Sequence, residues 1–299
     1  MYIDRAIWLS DRSGTGTREA PASGTADRLP AMSELTDRLD LAVRLVCEAG
    51  EHALTYYMSG SMGLEFKADR TPVTRADRES EELIRRALDA EYSADAVSGE
   101  EFGEKAGSSG YRWYIDPIDG TESFVRGVPL FGVLAGIERA GEVVAGAVNF
   151  PALRELAYAA IGSGAWWARG VGASSLAKPL RPMRARVSPV AELAEATLCT
   201  TGLQNFAAIG KAEGFARLLS AVKHARGWSD CYGHYLVATG RTDIMIDPYL
   251  GAWDCAALLP IVAEAGGRFS SLRNEPHIFG GNGISSNGLL HEDVLASLA

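Results

Sequence analysis

The sequence predicts a mixed α/β protein in two regions, and three patterns carry that prediction. Apolar residues recur every three or four positions from Leu35 to about Tyr57, the period of a helix with one buried face. Between Tyr111 and Ala168, short apolar runs are punctuated by Gly and Ser, as in antiparallel hairpins. From Thr197 onward, short apolar runs alternate with helical stretches instead.

Taken in order, residues 1–32 hold Ser, Gly, Thr, Arg and Pro and no apolar h-region. They read as a disordered tail rather than a secretory signal. Either Met32 is the natural start or the segment before it is dispensable. Leu35, Leu39, Val43, Val46, Ala49, Ala53 and Tyr57 form the stripe of the first helix, with Ser33 or Thr36 as its cap. Asp77 precedes a second helix with Leu83, Ile84, Ala87 and Leu88 on one face. A strand at Tyr111–Ile115 is followed by strands Phe131–Glu138 and Val143–Phe150. The turn Arg139-Ala140-Gly141-Glu142 makes these two a hairpin. Leu156–Ala160 and Ala165–Ala168 continue the sheet. Beyond it come a strand near Thr197–Thr201 and helices at Ala212–Lys223 and Tyr232–Thr239. Then follow a strand at Asp243–Ile246, a helix at Ala252–Ala265, a strand at Gly283–Ser286 and a last helix to Leu298. Lys178-Pro179-Leu180-Arg181-Pro182 resembles a linker. It divides an N-terminal α+β region, residues 33–180, from a C-terminal α/β region, residues 181–299.

The chain of 299 residues is 47% hydrophobic, enough to bury a substantial core, and carries a formal net charge of -9. That balance argues against a nucleic-acid partner, whose phosphates need clustered Lys and Arg. It does not exclude a small phosphorylated molecule, because a bound cation reverses the local charge. No apolar run is long enough to span a membrane. Cys47, Cys199, Cys231 and Cys255 have neither C-x-x-C nor zinc spacing and read as reduced, buried residues of a cytoplasmic protein.

The segment Trp113-Tyr114-Ile115-Asp116-Pro117-Ile118-Asp119-Gly120-Thr121 is the most informative. Two carboxylates at a strand end can converge on a hard cation, which prefers oxygen ligands. The N–H groups of Gly120 and Thr121 then offer a phosphate site. Alone, the same residues are a strand-end turn and an N-cap. Ser98-Gly99-Glu100-Glu101, Thr74-Arg75-Ala76-Asp77 and Trp253-Asp254 are likewise ordinary turns and caps when taken singly.

In this order, G-E-E, D-P-I-D-G-T and a late W-D resemble the inositol monophosphatase superfamily over roughly residues 35–298. Glu122 to Gly132, with Leu289 and His291 after Ser286-Asn287-Gly288, look most like its bacterial histidinol-phosphatase branch. The resemblance implies a layered α-β-α-β-α sandwich of the inositol monophosphatase/fructose-1,6-bisphosphatase type. It implies hydrolysis of a small phosphate monoester with two or three Mg²⁺, and a homodimer. Glu100, Asp116, Asp119, the backbone oxygen of Ile118 and Asp254 match the metal ligands. Thr121 and Asp77 match the pair that orients the attacking water. Gly120 and Thr121 match the phosphate turn, and Lys67 a lysine near the metals. Glu101 matches no ligand and reads as a supporting or solvated residue.

Substrate choice falls to the second half. Asp247 stands where family members carry a substrate-contacting acid. Arg226, Trp228 and Asp230 lie in a loop that reads the alcohol. Histidinol phosphate carries an ammonium group and an imidazole; Asp230 or Asp247 can pair with the first. Asp230 can equally cap the following helix, and Trp228 can stack on imidazole or simply pack. Glu122 is acidic where relatives usually are not, so it must face solvent to spare the phosphate. Inositol-1-phosphate and other sugar or polyol phosphates are the alternatives within the family. A non-catalytic binding or regulatory protein on the same scaffold is the alternative outside it. The D-x-x-D spacing differs from the D-x-D of haloacid-dehalogenase-like phosphatases. G-x-S-x-G, a P-loop and G-x-G-x-x-G are all absent.

Overall fold

The computed structural model describes residues 32–60, 62–67, 71–173 and 180–299. Residues 1–31 of the expected tail lie outside these, as do Lys178 and Pro179 of the linker-like stretch.

The chain starts with helix α1 (Met32–Leu54), a two-stranded hairpin β1 (Glu65–Phe66) and β2 (Pro72–Val73), and helix α2 (Arg75–Glu91). Thr36 lies inside α1, beyond its first turn's start, and so does not stand at its N-cap. Next come β3 (Ala96–Gly99), β4 (Gly103–Lys105), β5 (Tyr111–Asp119), a short helix α3 (Thr121–Val125), β6 (Gly132–Arg139), β7 (Glu142–Phe150), β8 (Glu155–Ala160), β9 (Gly164–Arg169) and β10 (Met183–Arg184). These strands form one sheet in the order β10-β9-β8-β7-β6-β5-β3-β4. All its pairs are antiparallel except β3 with β5. The β6–β7 hairpin turns through Ala140 and Gly141, both at positive φ, the geometry that matches strand twist.

The remaining elements are β11 (Thr197–Thr200), α4 (Asn205–Ala208), α5 (Ala212–Ala221), β12 (His224–Arg226), α6 (Asp230–Ala238), β13 (Ile244–Asp247), α7 (Ala252–Glu264), β14 (Arg268–Ser270), β15 (Gly283–Ser286) and α8 (His291–Leu298). Their five-stranded sheet has the order β12-β11-β13-β15-β14.

Side-chain alternation explains the layers. Trp113, Ile115, Val133, Ala135, Leu156 and Tyr158 point to one face of the large sheet and pack on α1 and α2. Tyr114, Leu134, Ala157 and Ala159 point to the other and pack on α6 and α7. On the small sheet, Leu198, Ile244, Ile246 and Ile284 face Phe215 and Leu218 of α5 and Val294 and Leu298 of α8. Each sheet is covered on both faces, giving the α-β-α-β-α order. α7 sits very close to the large sheet: a Cβ at Gly136 would lie 2.4 Å from Ala256 Cβ, and one at Gly146 would lie 2.5 Å from Ala257 O. This closeness fixes the position of the α7 N-terminus, where Asp254 stands.

Candidate active site

The site forms where strand β5 ends. Pro117 has no N–H to give the ladder, and pairing with β6 breaks between Asp116 and Asp119 before resuming at Asp119 opposite Gly132. β5 therefore runs four residues beyond the predicted Ile115, through a bulge. Asp116 Oδ1 accepts from Ile118 N at 3.0 Å. Gly120 then turns the chain at φ 85°, a left-handed conformation that suits glycine. A side chain there would also meet Leu130 O at 2.8 Å and Asp230 Oδ2 at 3.2 Å.

Glu100 follows β3, the parallel neighbour of β5, and its N–H donates to Ile115 O at 3.2 Å. Lys67 Nζ donates to Glu100 Oε1 at 2.7 Å and to Glu101 Oε1 at 2.6 Å. Glu101 is thus a supporting partner of Lys67, with its side chain only 5% exposed. Burial alone would lower the Lys67 pKa, but the two carboxylates hold it above its ordinary value.

Asp77 and Asp254 share one device. Each is the third residue of its helix, not the N-cap, and bonds back to the N-cap backbone. Asp77 Oδ2 accepts from Thr74 N at 2.7 Å; Asp254 Oδ2 accepts from Gly251 N at 2.7 Å. The other oxygen of Asp77 accepts from Thr121 Oγ1 at 3.3 Å, and Thr121 Oγ1 also reaches Ile118 O at 3.0 Å. Asp119 Oδ2 accepts the Cys231 N–H at 2.5 Å, tying β5 to the first turn of α6.

Oxygens of Asp116, Asp119 and Asp254 all lie within 4.8 Å of one another. Burial, then the charges of Glu100, Asp254 and Asp119, drive the Asp116 pKa far above the usual carboxylate range. Burial and neighbouring charge likewise push Asp119 and Asp254 up to about 7. Burial pushes Asp77 to about 7 as well. An all-oxygen set that repels itself this strongly fits a hard divalent cation, which would hold every carboxylate ionised.

A cavity of about 510 Å³ opens over this cluster, lined by Lys67, Glu100, Thr121, Asp230, Trp253 and Asp254 among others. Asp230 faces it from the start of α6, with φ 56°. It does not cap that helix. Its carboxylate accepts from Ser229 Oγ at 2.8 Å, its N–H donates to Thr201 Oγ1 at 2.8 Å, and burial beside Asp119 pushes it to about 7. Asp247 ends β13, is buried and is not among the lining residues; burial, then the nearby charges of Asp230 and Asp119, push its carboxyl well above the usual range. Arg226 lies exposed on edge strand β12 and is not among the lining residues. Trp228 is exposed rather than packed. Glu122 reaches the cavity rim, exposed and paired with Arg126. Tyr249, also in the lining, belongs to none of the sequence motifs. Its place in Pro248-Tyr249-Leu250-Gly251, a loop just before Trp253-Asp254, was the available signal.

The family model described as Inositol monophosphatase family matches residues 34–299. A histidinol-phosphatase of Chlorobaculum parvum is 39% identical over 88% of this chain and 97% of its own. One of Mycobacterium tuberculosis is 40% identical over 88% and 98%. Among solved structures, the Thermotoga maritima IMPase matches with a TM-score of 0.76 at 31% identity, covering 88% of this chain and 96% of that one. The extragenic suppressor protein suhB of Bartonella henselae matches with a TM-score of 0.78 at 26% identity, over 88% and 98%. On the span of the family match and on these identities, the chain belongs to the inositol monophosphatase family.

Proposed function

We propose that this phosphoric monoester hydrolase is Mg²⁺-dependent and converts L-histidinol phosphate to L-histidinol and phosphate, a step of histidine biosynthesis. The observation that carries the chemistry is the convergence of Asp116, Asp119 and Asp254 beside the Thr121–Asp77 pair. Two or three Mg²⁺ held by Glu100, Asp116, Asp119, Asp254 and the Ile118 carbonyl would supply the Lewis acidity for attack by water at neutral pH. Asp77, fixed by Thr74, takes the Thr121 hydroxyl proton into a hydrogen bond. That leaves a Thr121 oxygen lone pair to accept from the attacking water and aim it. The N–H groups of Gly120 and Thr121 hold the phosphate. Lys67 sits against Glu100 and limits the negative charge that substrate must approach.

Asp230 supports the choice of substrate. Besides Asp254, it is the acid that the C-terminal half presents in the cavity lining, and it is placed to pair with an ammonium group. The identities of 39% and 40% to histidinol-phosphatases point the same way. Inositol-1-phosphate is the second reading, favoured by a Rhizobium meliloti inositol-1-monophosphatase at 31% identity. A non-catalytic role has no use for the full carboxylate set. The reading takes the enzyme as a cytoplasmic homodimer: its four buried free cysteines suit a reducing compartment, and the resemblance implies the pairing.

The test is phosphate release from L-histidinol phosphate and inositol-1-phosphate, side by side, with Mg²⁺ and with EDTA. Release that needs Mg²⁺ and favours histidinol phosphate supports the whole reading. Preference for inositol phosphate removes the substrate assignment, and equal release in EDTA removes the metal.

A further inference from the structure

Glu81 is a carboxylate that the proposed chemistry leaves unused, and it is fully buried. It stands one helical turn after Asp77 on the inner face of α2, followed on that face by Ile84 and Leu88. A buried charge needs partners, and those of Glu81 all belong to one task. Its Oε2 accepts from Glu101 N at 2.7 Å, and its Oε1 from Phe102 N at 3.3 Å. Arg85 Nε donates to the same Oε1 at 2.6 Å, and Arg85 Nη2 continues to Gly103 O. The carboxylate thus grips the backbone immediately after Glu100, while Glu100 N is held from the other side by Ile115 O. The fit leaves no slack: a Cβ at Gly99 would lie 1.9 Å from Glu81 Oε1.

We propose that Glu81 is a positioning residue for the metal site, fixing the Glu100–Gly103 turn so that the Glu100 carboxylate stays aimed at Asp116. α2 would then serve the reaction twice, orienting Thr121 through Asp77 and Glu100 through Glu81. The proposal rests on the reading of Glu100 as a metal ligand.

Mn²⁺ binding to the substrate-free protein, followed by electron paramagnetic resonance, tests it without relying on turnover. Glu81→Gln keeps the volume but turns an amide N–H₂ toward backbone donors. It should weaken Mn²⁺ binding by ~10–100-fold, as loss of a residue supporting a metal ligand does. Glu81→Asp should recover part of that loss. Leu88→Ala, a cavity in the same helix, should lower the melting temperature at least as much and leave Mn²⁺ affinity unchanged. In a Glu100→Gln background, Glu81→Gln should add little. Parent affinity in folded Glu81→Gln, or an equal loss in Leu88→Ala, overturns the proposal while leaving Glu100 a ligand. Parent affinity in Glu100→Gln overturns the ligand reading and the proposal with it. If Glu81→Gln does not fold, Arg85→Met replaces it. That variant removes the clamp from the partly exposed side, and parent Mn²⁺ affinity there overturns the proposal.

Discussion

The two halves of the molecule reach the same cavity by different means. The N-terminal half presents Asp116, Asp119 and Glu100 from the ends of paired strands in an eight-stranded sheet. The C-terminal half presents Asp254 and Asp230 from the first turns of helices, beside exposed aromatics such as Tyr249 at 53% and Trp228 at 40%. A strand end locked by its ladder holds a charge against repulsion. A helix start and its loop can change side chains without disturbing that ladder. On the proposed reading, the strand ends hold most of the metal site, while the helix starts add Asp254 to it and offer Asp230 to the substrate.

The most severe way to break the first half is Asp116→Asn. Turnover should fall by ~10³-fold, the scale of losing a central electrostatic group. The melting temperature in EDTA should stay level or rise, because an amide is neutral in that cluster without having to take up a proton. A large loss of activity accompanied by unfolding would count against the metal reading.

Metal removal comes next. Asp119 and Asp254 have folded-state pKa values raised to about 7. In EDTA their contribution is therefore present below the unfolded value near 4 and lost as pH rises toward 7. Mg²⁺ should cancel that loss, and its stabilisation should be larger at pH 8 than at pH 5. At a hundredfold excess over its Kd it should contribute about 2.7 kcal/mol. Thermal melts across pH with and without EDTA check the sign.

Asp230→Ala sharpens the comparison on the other side. It should raise KM for histidinol phosphate by ~10-fold, the loss of one charge-assisted contact, with a smaller effect on inositol phosphate. Equal effects on both substrates would remove the ammonium pairing.

The smallest effect concerns folding alone and belongs to the C-terminal half. His234 in α6 and His291 in α8 are buried against Ser285 and against Ser270 and Ser286, and burial lowers them to about 3 and about 4. Depressed histidines contribute fully above the unfolded value of about 6.5 and lose that contribution as pH falls below it. His234→Gln should flatten the Mg²⁺-bound stability curve between pH 6.5 and 5.5 by about 1 kcal/mol. An unchanged slope would show that His234 titrates alike in both states.

These differences track what the sequence made legible. Asp116, Asp119, Gly120 and Thr121 are contiguous, and Pro117 marks the break that aims them, so a local pattern carried the geometry. The hairpin at Ala140-Gly141 was legible for the same reason. β3, β12 and β14 were missed because three or four residues display no period. By sequence alone Asp77 and Asp254 look like caps, whereas in the fold they bond back from the third helical position. Glu81 was invisible: mid-helix, it looks like a solvent-facing acid until folding brings the Glu101 and Phe102 N–H groups to it. The bond from Cys231 N to Asp119 joins the two halves and has no local signature.

The bare seat of α7 on Gly136 and Gly146 has a consequence for ion choice. With no Cβ on the sheet side at either glycine, α7 approaches the sheet there as closely as its own Ala256 and Ala257 allow. Asp254 rides on α7 and Asp116 on β5, so a side chain added at the seat should lift the one away from the other. Mg²⁺ bonds oxygen at about 2.0–2.1 Å and Ca²⁺ at about 2.3–2.6 Å. On the proposed reading of these carboxylates as metal ligands, a methyl at Gly146 should therefore tilt the site toward the larger ion.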